Sequence, residues 1–228
     1  QTNRLMFGLY AQPGITDAQQ LRGKVVATTR VGASNHTATV VALERFGLVP
    51  DRDVALRQLG EVPAIYAAMQ TGQVDAATLG LPPNRGALPN IVELLNLGRD
   101  GPEYPSIAIG GPRAWVSTNE EALHRFARAY VRGIHRFKHD RAFTIEVYRK
   151  YFQADDTPFF EESWELFRQA IPDVPYVSEE GFARILQDLA AEEPRAAGRQ
   201  PAEWLDARFV RELDQSGFIR ALSSAGAP

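Results

Sequence analysis

The sequence predicts an α/β fold built on a parallel sheet, followed by a second, mainly helical part. Three observations carry that reading. Short apolar runs alternate with helical patterns over residues 24–79, and strands that alternate with helices pair in parallel through right-handed crossovers. Gly47 and Gly72 stand where two of those helices should stop, because glycine takes the left-handed conformation that ends a helix. From Thr118 onward, apolar residues recur three and four apart, the period of a helix packed along one face.

Taken in order, Leu5, Phe7, Leu9 and Tyr10 read as part of a strand with nothing before it to pair with. Pro13 and Gly14 turn the chain, and Thr16 or Asp17 caps a short helical turn into Leu21. Val25, Val26 and Ala27 form a strand too short and apolar to be a surface helix. Gly32 follows, then Ser34 or Asn35 as helix N-cap, and the helix runs through Val40, Val41, Ala42, Leu43 and Phe46 to Gly47, with Leu48 folding back on its last turn. Residues 53–60 make a second strand. Pro63 opens the next helix, where its missing N–H costs nothing; Ile65, Ala68 and Met69 lie on it. A third strand, 74–79, leads into Gly80, Leu81, Pro82 and Pro83. Residues 90–96 and 106–111 read as further strands around a loop at 98–105. A helix then carries the stripe Leu123, Phe126, Ala127, Tyr130, Ile134 and Phe137. More helices follow at about 142–151, 158–171, 178–191 and 201–215, with Gly217 closing the last and 223–228 a frayed tail.

Composition narrows the function. The 228 residues carry 25 basic and 28 acidic side chains, net −3, with a pI near 5.9, which argues against a general nucleic-acid binder. Hydrophobic residues make up 44%, enough for a core, and no apolar run approaches the roughly 18 residues of a membrane span. Cysteine is absent, so disulfides, thiolate catalysis and cysteine-ligated metals are excluded. No signal peptide is visible at Gln1.

In a parallel α/β sheet, ligands sit outside the C-terminal ends of the strands. Here those ends are residues 28–34, 58–62 and 79–82. The turn into the first helix presents backbone N–H groups, where an anion docks. Arg30 can pair with an anion there, or with Glu61 or Asp53 on the surface. His36 sits in the first helical turn, as a ligand contact or an exposed polar residue. Glu61 can recognise a cationic group. Asp75, between a helix stop and a strand, reads as structural. His135 and His139 have the spacing of a two-histidine metal pair, but no carboxylate completes a ligand set; with His124 and Arg128 they read as a solvated face. No serine elbow, P-loop or paired-carboxylate motif is present, and nothing looks assembled for catalysis.

The succession ITDAQQLRGKVVATTRVGAS, ALERFGLVPDRDVALRQLG, AAMQTGQVDAATLGLPP and ELDQSGFI resembles the solute-binding proteins of ABC importers. The nearest group is the nitrate/taurine/alkanesulfonate type, which shares its fold with the thiamine-pyrimidine synthases. The resemblance implies a type II periplasmic-binding-protein-like α/β fold of two lobes, one intact and one incomplete. Residues 12–108 would form the second lobe, on a parallel-sheet core, and residues 1–11 with 109–228 a mostly helical remnant of the first. It implies an extracytoplasmic or periplasmic protein that captures a small polar or anionic organic solute (sulfonate, nitrate, carboxylate or pyrimidine) and delivers it to a membrane permease. Neither nucleic acid, cofactor nor metal is implied. The corresponding turn of the family caps the solute, which places contacts on Gly32, Ser34, Asn35, His36 and Thr37; Thr29, Arg30, Glu61 and Leu81 join them from the strand-end argument. An incomplete first lobe would leave apolar helix faces open to self-association. Two alternatives are a ligand-sensing module without transport and, more remotely, a synthase-like enzyme; the synthases use a cysteine-rich segment that this chain lacks.

Overall fold

The computed structural model describes residues 2–190 and 193–224. They fall into two compact units, one of Arg4–Pro102 and one of Gln1–Asn3 with Glu103–Pro228.

In the first unit, strands β1 (Phe7–Ala11), β2 (Val25–Thr28), β3 (Ala55–Gln58), β4 (Ala76–Gly80) and β5 (Val92–Asn96) form one sheet in the order β3-β2-β4-β1-β5. β2 pairs in parallel with both β3 and β4, as the strand–helix alternation predicts. β1 is antiparallel to β4 on one side and to β5 on the other. Residues 4–11, expected with the helical remnant, therefore belong to this unit, with 7–11 inside its sheet. The cause is plain in the side chains: Leu9, Tyr10 and Ala11 are fully buried, and backbone pairing on both flanks satisfies every polar group such a strand takes from water.

Helices α1 (Ser34–Glu44), α2 (Val62–Gln70) and α3 (Leu97–Asp100) complete the unit; α3 replaces part of the loop expected at 98–105. α1 packs on β4, β1 and β2, burying Ala38, Val41, Ala42 and Leu43. It ends as the sequence predicts. Gly47 has φ 67°, the Leu48 N–H donates to Leu43 O at 3.0 Å, and Leu48 is buried. Asp75 is structural: its carboxylate accepts from the Val25 N–H at 2.9 Å and from Lys24 Nζ at 3.3 Å, joining the starts of β2 and β4.

The second unit holds α4 (Arg113–Thr118), α5 (Glu120–His139), α6 (Arg141–Phe152), α7 (Thr157–Ala170), α8 (Glu179–Ala190), α9 (Arg208–Gln215) and α10 (Phe218–Ser224). Residues 106–111 are not the strand expected of them. One isolated bridge, Thr2 to Ile107, is their pairing among the described residues, and Ile107 and Ile109 are exposed; a strand pattern needs a neighbouring strand to act on. The stretch 201–215 is broken into a short 3-10 turn, Pro201–Glu203, and α9. Gly217, with φ 77°, stands just past the end of α9, as the sequence predicts, and a further helix, α10, follows it. The expected tail is helical to Ser224, and residues 225–228 lie outside the described residues.

α5 buries most of the predicted stripe, with Leu123, Tyr130 and Phe137 half-buried beside the buried Ala127 and Ile134, but it adds Val131 and leaves Phe126 out. Ala127, Val131 and Ile134 are buried, and Ala127 and Val131 cluster with Leu213 and Ile219. Phe126 is 46% exposed and stacks on Tyr130 at 5.7 Å. The expected solvated face is partly covered. His124 Nδ1 lies 3.3 Å from Glu212 Oε2 and its ring meets the Phe209 ring edge-on at 4.9 Å. The Arg128 guanidinium stands 4.4 Å over the Phe218 ring. Among the described residues, no helix is long and apolar enough to cross a membrane.

Candidate functional site

The parallel strands β2, β3 and β4 end on one edge of the first unit's sheet. The chain leaves that edge through residues 29–33, 59–61 and 81–83. The first two exits are tied together: the Leu59 N–H donates to Thr28 O at 2.9 Å, the Gly60 N–H to Thr29 O at 3.5 Å, and the Val31 N–H to Gln58 Oε1 at 3.3 Å.

The centre of this arrangement is Asn35, and its side chain points inward. Its Oδ1 accepts from Thr28 Oγ1 and from the Thr29 N–H, both at 3.0 Å; its Nδ2 donates to Thr78 O at 2.7 Å. One turn further along α1, Thr39 Oγ1 donates to Asn35 O at 2.9 Å and lies 3.0 Å from Thr78 Oγ1. All these groups are buried. The network ties the start of α1 to β2 and β4, so Asn35 positions the turn. This differs from the sequence expectation, which also named Asn35 or Ser34 as N-cap. The N-cap is Ala33, with no side-chain cap and no acidic residue in the first turn. The amides of Ser34, Asn35 and His36 are the ones an α-helix leaves without intrahelical partners, and among the described residues no side chain caps them.

Gly32 is exposed with φ 80°, the turn residue the sequence predicts. Ser34 is exposed, His36 and Thr37 are half-buried, and Thr37 Oγ1 donates back to Ala33 O at 3.4 Å. Arg30 and Glu61 are both exposed on this edge. Asp53, a suggested partner for Arg30, is instead held by Arg22 at 3.0 Å and Arg52 at 2.9 Å. Its carboxyl is pulled below the usual range, first by the Arg52 hydrogen bond. Thr29 is 8% exposed, and its Oγ1 finds no hydrogen-bond partner among the described residues.

Leu81 stands apart from this group. It is 6% exposed, its N–H donates to Met6 O at 3.0 Å, and its Cδ1 lies against Gly98. It is core, because the chain leaving β4 stays under β1 and α3. Thr28 and Gln58 fall within the strand ends the sequence marked, but no role was read for them, and Thr39 and Thr78 were missed; polar residues inside apolar strands and mid-helix were the available signal. Val31 and Val62, 55% and 49% exposed, give the edge two apolar patches beside Arg30 and Glu61. Among the described residues, no group of three or more His, Cys, Asp or Glu is placed to hold a metal ion. His135 and His139 stack on each other at 4.3 Å, in the second unit.

A mixed sheet whose parallel strands end on an uncapped helix start, joined to a helical second part, is the α/β arrangement of type II periplasmic-binding proteins. A model of the family described as "NMT1/THI5 like" matches residues 1–140. The chain belongs to that family. Among solved structures, it is similar to one from Bordetella bronchiseptica RB50, with 19% identity and a TM-score of 0.70, covering 95% of this chain and 73% of that one. It is also similar to the periplasmic aliphatic sulphonate binding protein SsuA from Escherichia coli, at 20% identity and TM-score 0.67, with 92% and 72% covered. The desulfurization enzyme DSZB shares the fold at 15% identity and TM-score 0.59, with 94% and 77% covered. No curated protein matches the chain.

Proposed function

We propose that this chain is the extracytoplasmic solute-binding component of an ABC importer, and that it captures a small organic anion on the C-terminal edge of the first unit's sheet. The observation that carries the reading is the start of α1. Its first-turn amides have no side-chain cap and its first turn holds no acidic residue, and a helix start of that kind favours an anion through aligned N–H groups and the helix dipole. Arg30 adds a positive charge on the same edge without an ion-pair partner of its own among the described residues. Family membership supports solute binding, and the sulphonate-binding neighbour supports an anionic solute. Delivery to a membrane permease follows from the same reading.

Mechanistically, Asn35 and its threonine partners hold the turn in place before the solute arrives, so little ordering entropy is lost on binding. A dissociation constant in the micromolar range corresponds to about 8 kcal/mol, within reach of a few charge-assisted hydrogen bonds and a patch of apolar contact. A thermal-shift screen of sulfonates, nitrate, aromatic acids and pyrimidines tests the reading. A stabilising anion whose effect is weakened by Arg30→Ala supports it. Turnover of such a compound would replace capture with catalysis.

A further inference from the structure

His135 and His139 stand one turn apart at the C-terminal end of α5. Their rings face each other at 4.3 Å between centroids, 21° from parallel. His139 Nδ1 lies 2.8 Å from His135 O. A carbonyl oxygen only accepts, so that nitrogen carries the ring's hydrogen, and in the neutral imidazole the lone pair is on Nε2. A backbone carbonyl that holds one ring nitrogen and leaves the other bare is how proteins orient metal-binding histidines. No other hydrogen bond or ion pair engages either ring among the described residues.

The surroundings of His135 favour the same use. The ring is half-buried and lines a small recess with Val131, Ile134, Ile219, Leu222 and Asp173. Burial, and then the neighbouring His139, hold its imidazole below the ordinary value against the opposing pull of Asp173. At neutral pH it therefore offers a lone pair, with little competition from protons. The two cations beside the pair are engaged elsewhere. Lys138 is held by Asp173 and by Ile171 O at 3.0 Å. Arg136 lies 3.5 Å from Asp140 and stands over the Phe143 ring.

We propose that His135 and His139 together bind one divalent transition-metal ion of the zinc, nickel or copper class, with water completing its shell. Among the described residues no set of three protein ligands is placed to hold it, so the site is a two-histidine chelate, weaker than a closed structural zinc site. Imidazole suits these ions, whereas magnesium and calcium take oxygen ligands. His139 keeps its carbonyl bond, and the His135 ring turns about its soft outer torsion to share the ion. Carrying both rings on one helix gives the second ligand a high effective concentration. The bound ion clamps the last turn of α5. None of this depends on the proposed solute site, whose residues belong to the other unit.

Titration calorimetry of the untagged full chain with zinc, nickel and magnesium chlorides tests it. The expected result is that zinc and nickel bind at one ion per chain and magnesium does not. His135→Ala and His139→Ala should each weaken zinc binding about tenfold or more, through loss of the chelate, while His124→Ala leaves it unchanged. His139 is exposed, so its replacement spares the fold. Zinc should raise the melting temperature of the wild-type chain, as a ligand of the folded state does, and should not raise that of His139→Ala. No zinc binding at about 1 mM, or a loss smaller than tenfold in either the His135 or the His139 variant, overturns the proposal.

Discussion

Asn35 satisfies three partners at once, and this sets what each residue of the turn contributes. Asn35→Ala strips the Thr28 hydroxyl, the Thr29 N–H and the Thr78 carbonyl of their bonds inside a region that excludes water. We expect a loss of about 2–4 kcal/mol in denaturant unfolding, from buried groups left unpaired. Ser34→Ala, next to it, should change stability by under about 0.5 kcal/mol, because Ser34 is exposed and caps nothing. A large loss at Ser34 and none at Asn35 would reverse the roles assigned here. Tyr10 supplies a pH test. Burial is the main cause that pushes its phenol well above the ordinary value, with the Glu93 charge and the hydrogen bond to Glu93 Oε2 at 3.1 Å adding to it. The folded state therefore holds the Tyr10 proton more tightly than the unfolded chain. Its contribution is fully present below about pH 10, the unfolded value, and is lost as pH rises from there toward the folded value. Tyr10→Phe should flatten the fall in stability across that alkaline range; an unchanged alkaline profile would show that Tyr10 ionises freely.

At the scale of elements, periodicity and turn chemistry made most of the first unit legible. β2 to β4, both intervening helices and the Gly47 stop stand where the sequence places them, because each depends on neighbours within a few residues. What the sequence hid depends on distant partners. Asn35 turns inward because β4 supplies Thr78, 43 residues further on. Residues 106–111 carry a strand pattern, but without a strand beside them they stay irregular and exposed. Leu213 and Ile219, from the far end of the chain, draw Val131 into the buried face of α5 beside Ala127, while Phe126 of the predicted stripe stays exposed. The Gly32 turn and the strand-end edge were readable, and so were Arg30 and Glu61 as charges on it; the inward Asn35 and the buried Leu81 were not. The α5 assignment has its own test. Leu213→Ala should cost about 2–4 kcal/mol by leaving a cavity against Ala127 and Val131, whereas Phe126→Ser should cost less than about 1 kcal/mol. Urea unfolding of the two variants checks this, and a larger loss for Phe126→Ser than for Leu213→Ala would contradict it.

For the whole molecule, function is a claim about one edge of one unit. The proposed solute contacts all lie in the unit of Arg4–Pro102, on a turn fixed in advance by buried hydrogen bonds and beside Arg30, which has no ion-pair partner among the described residues. The central claim is that an anion binds the first turn of α1 with help from Arg30, and electrostatics gives it a signature. An exposed charge contributes through a field that salt screens over about 10 Å at moderate ionic strength, and a planar guanidinium is not replaced in full by an ammonium. The most direct measurement is titration calorimetry of the tightest-binding anion from the screen, at low and high salt, on the wild-type chain, Arg30→Lys and Arg30→Ala. The account predicts that affinity falls as salt rises. It also predicts that Arg30→Lys weakens binding less than Arg30→Ala, and that Arg30→Ala loses about fivefold or more and most of the salt dependence. Binding that is indifferent to both salt and Arg30 would contradict it.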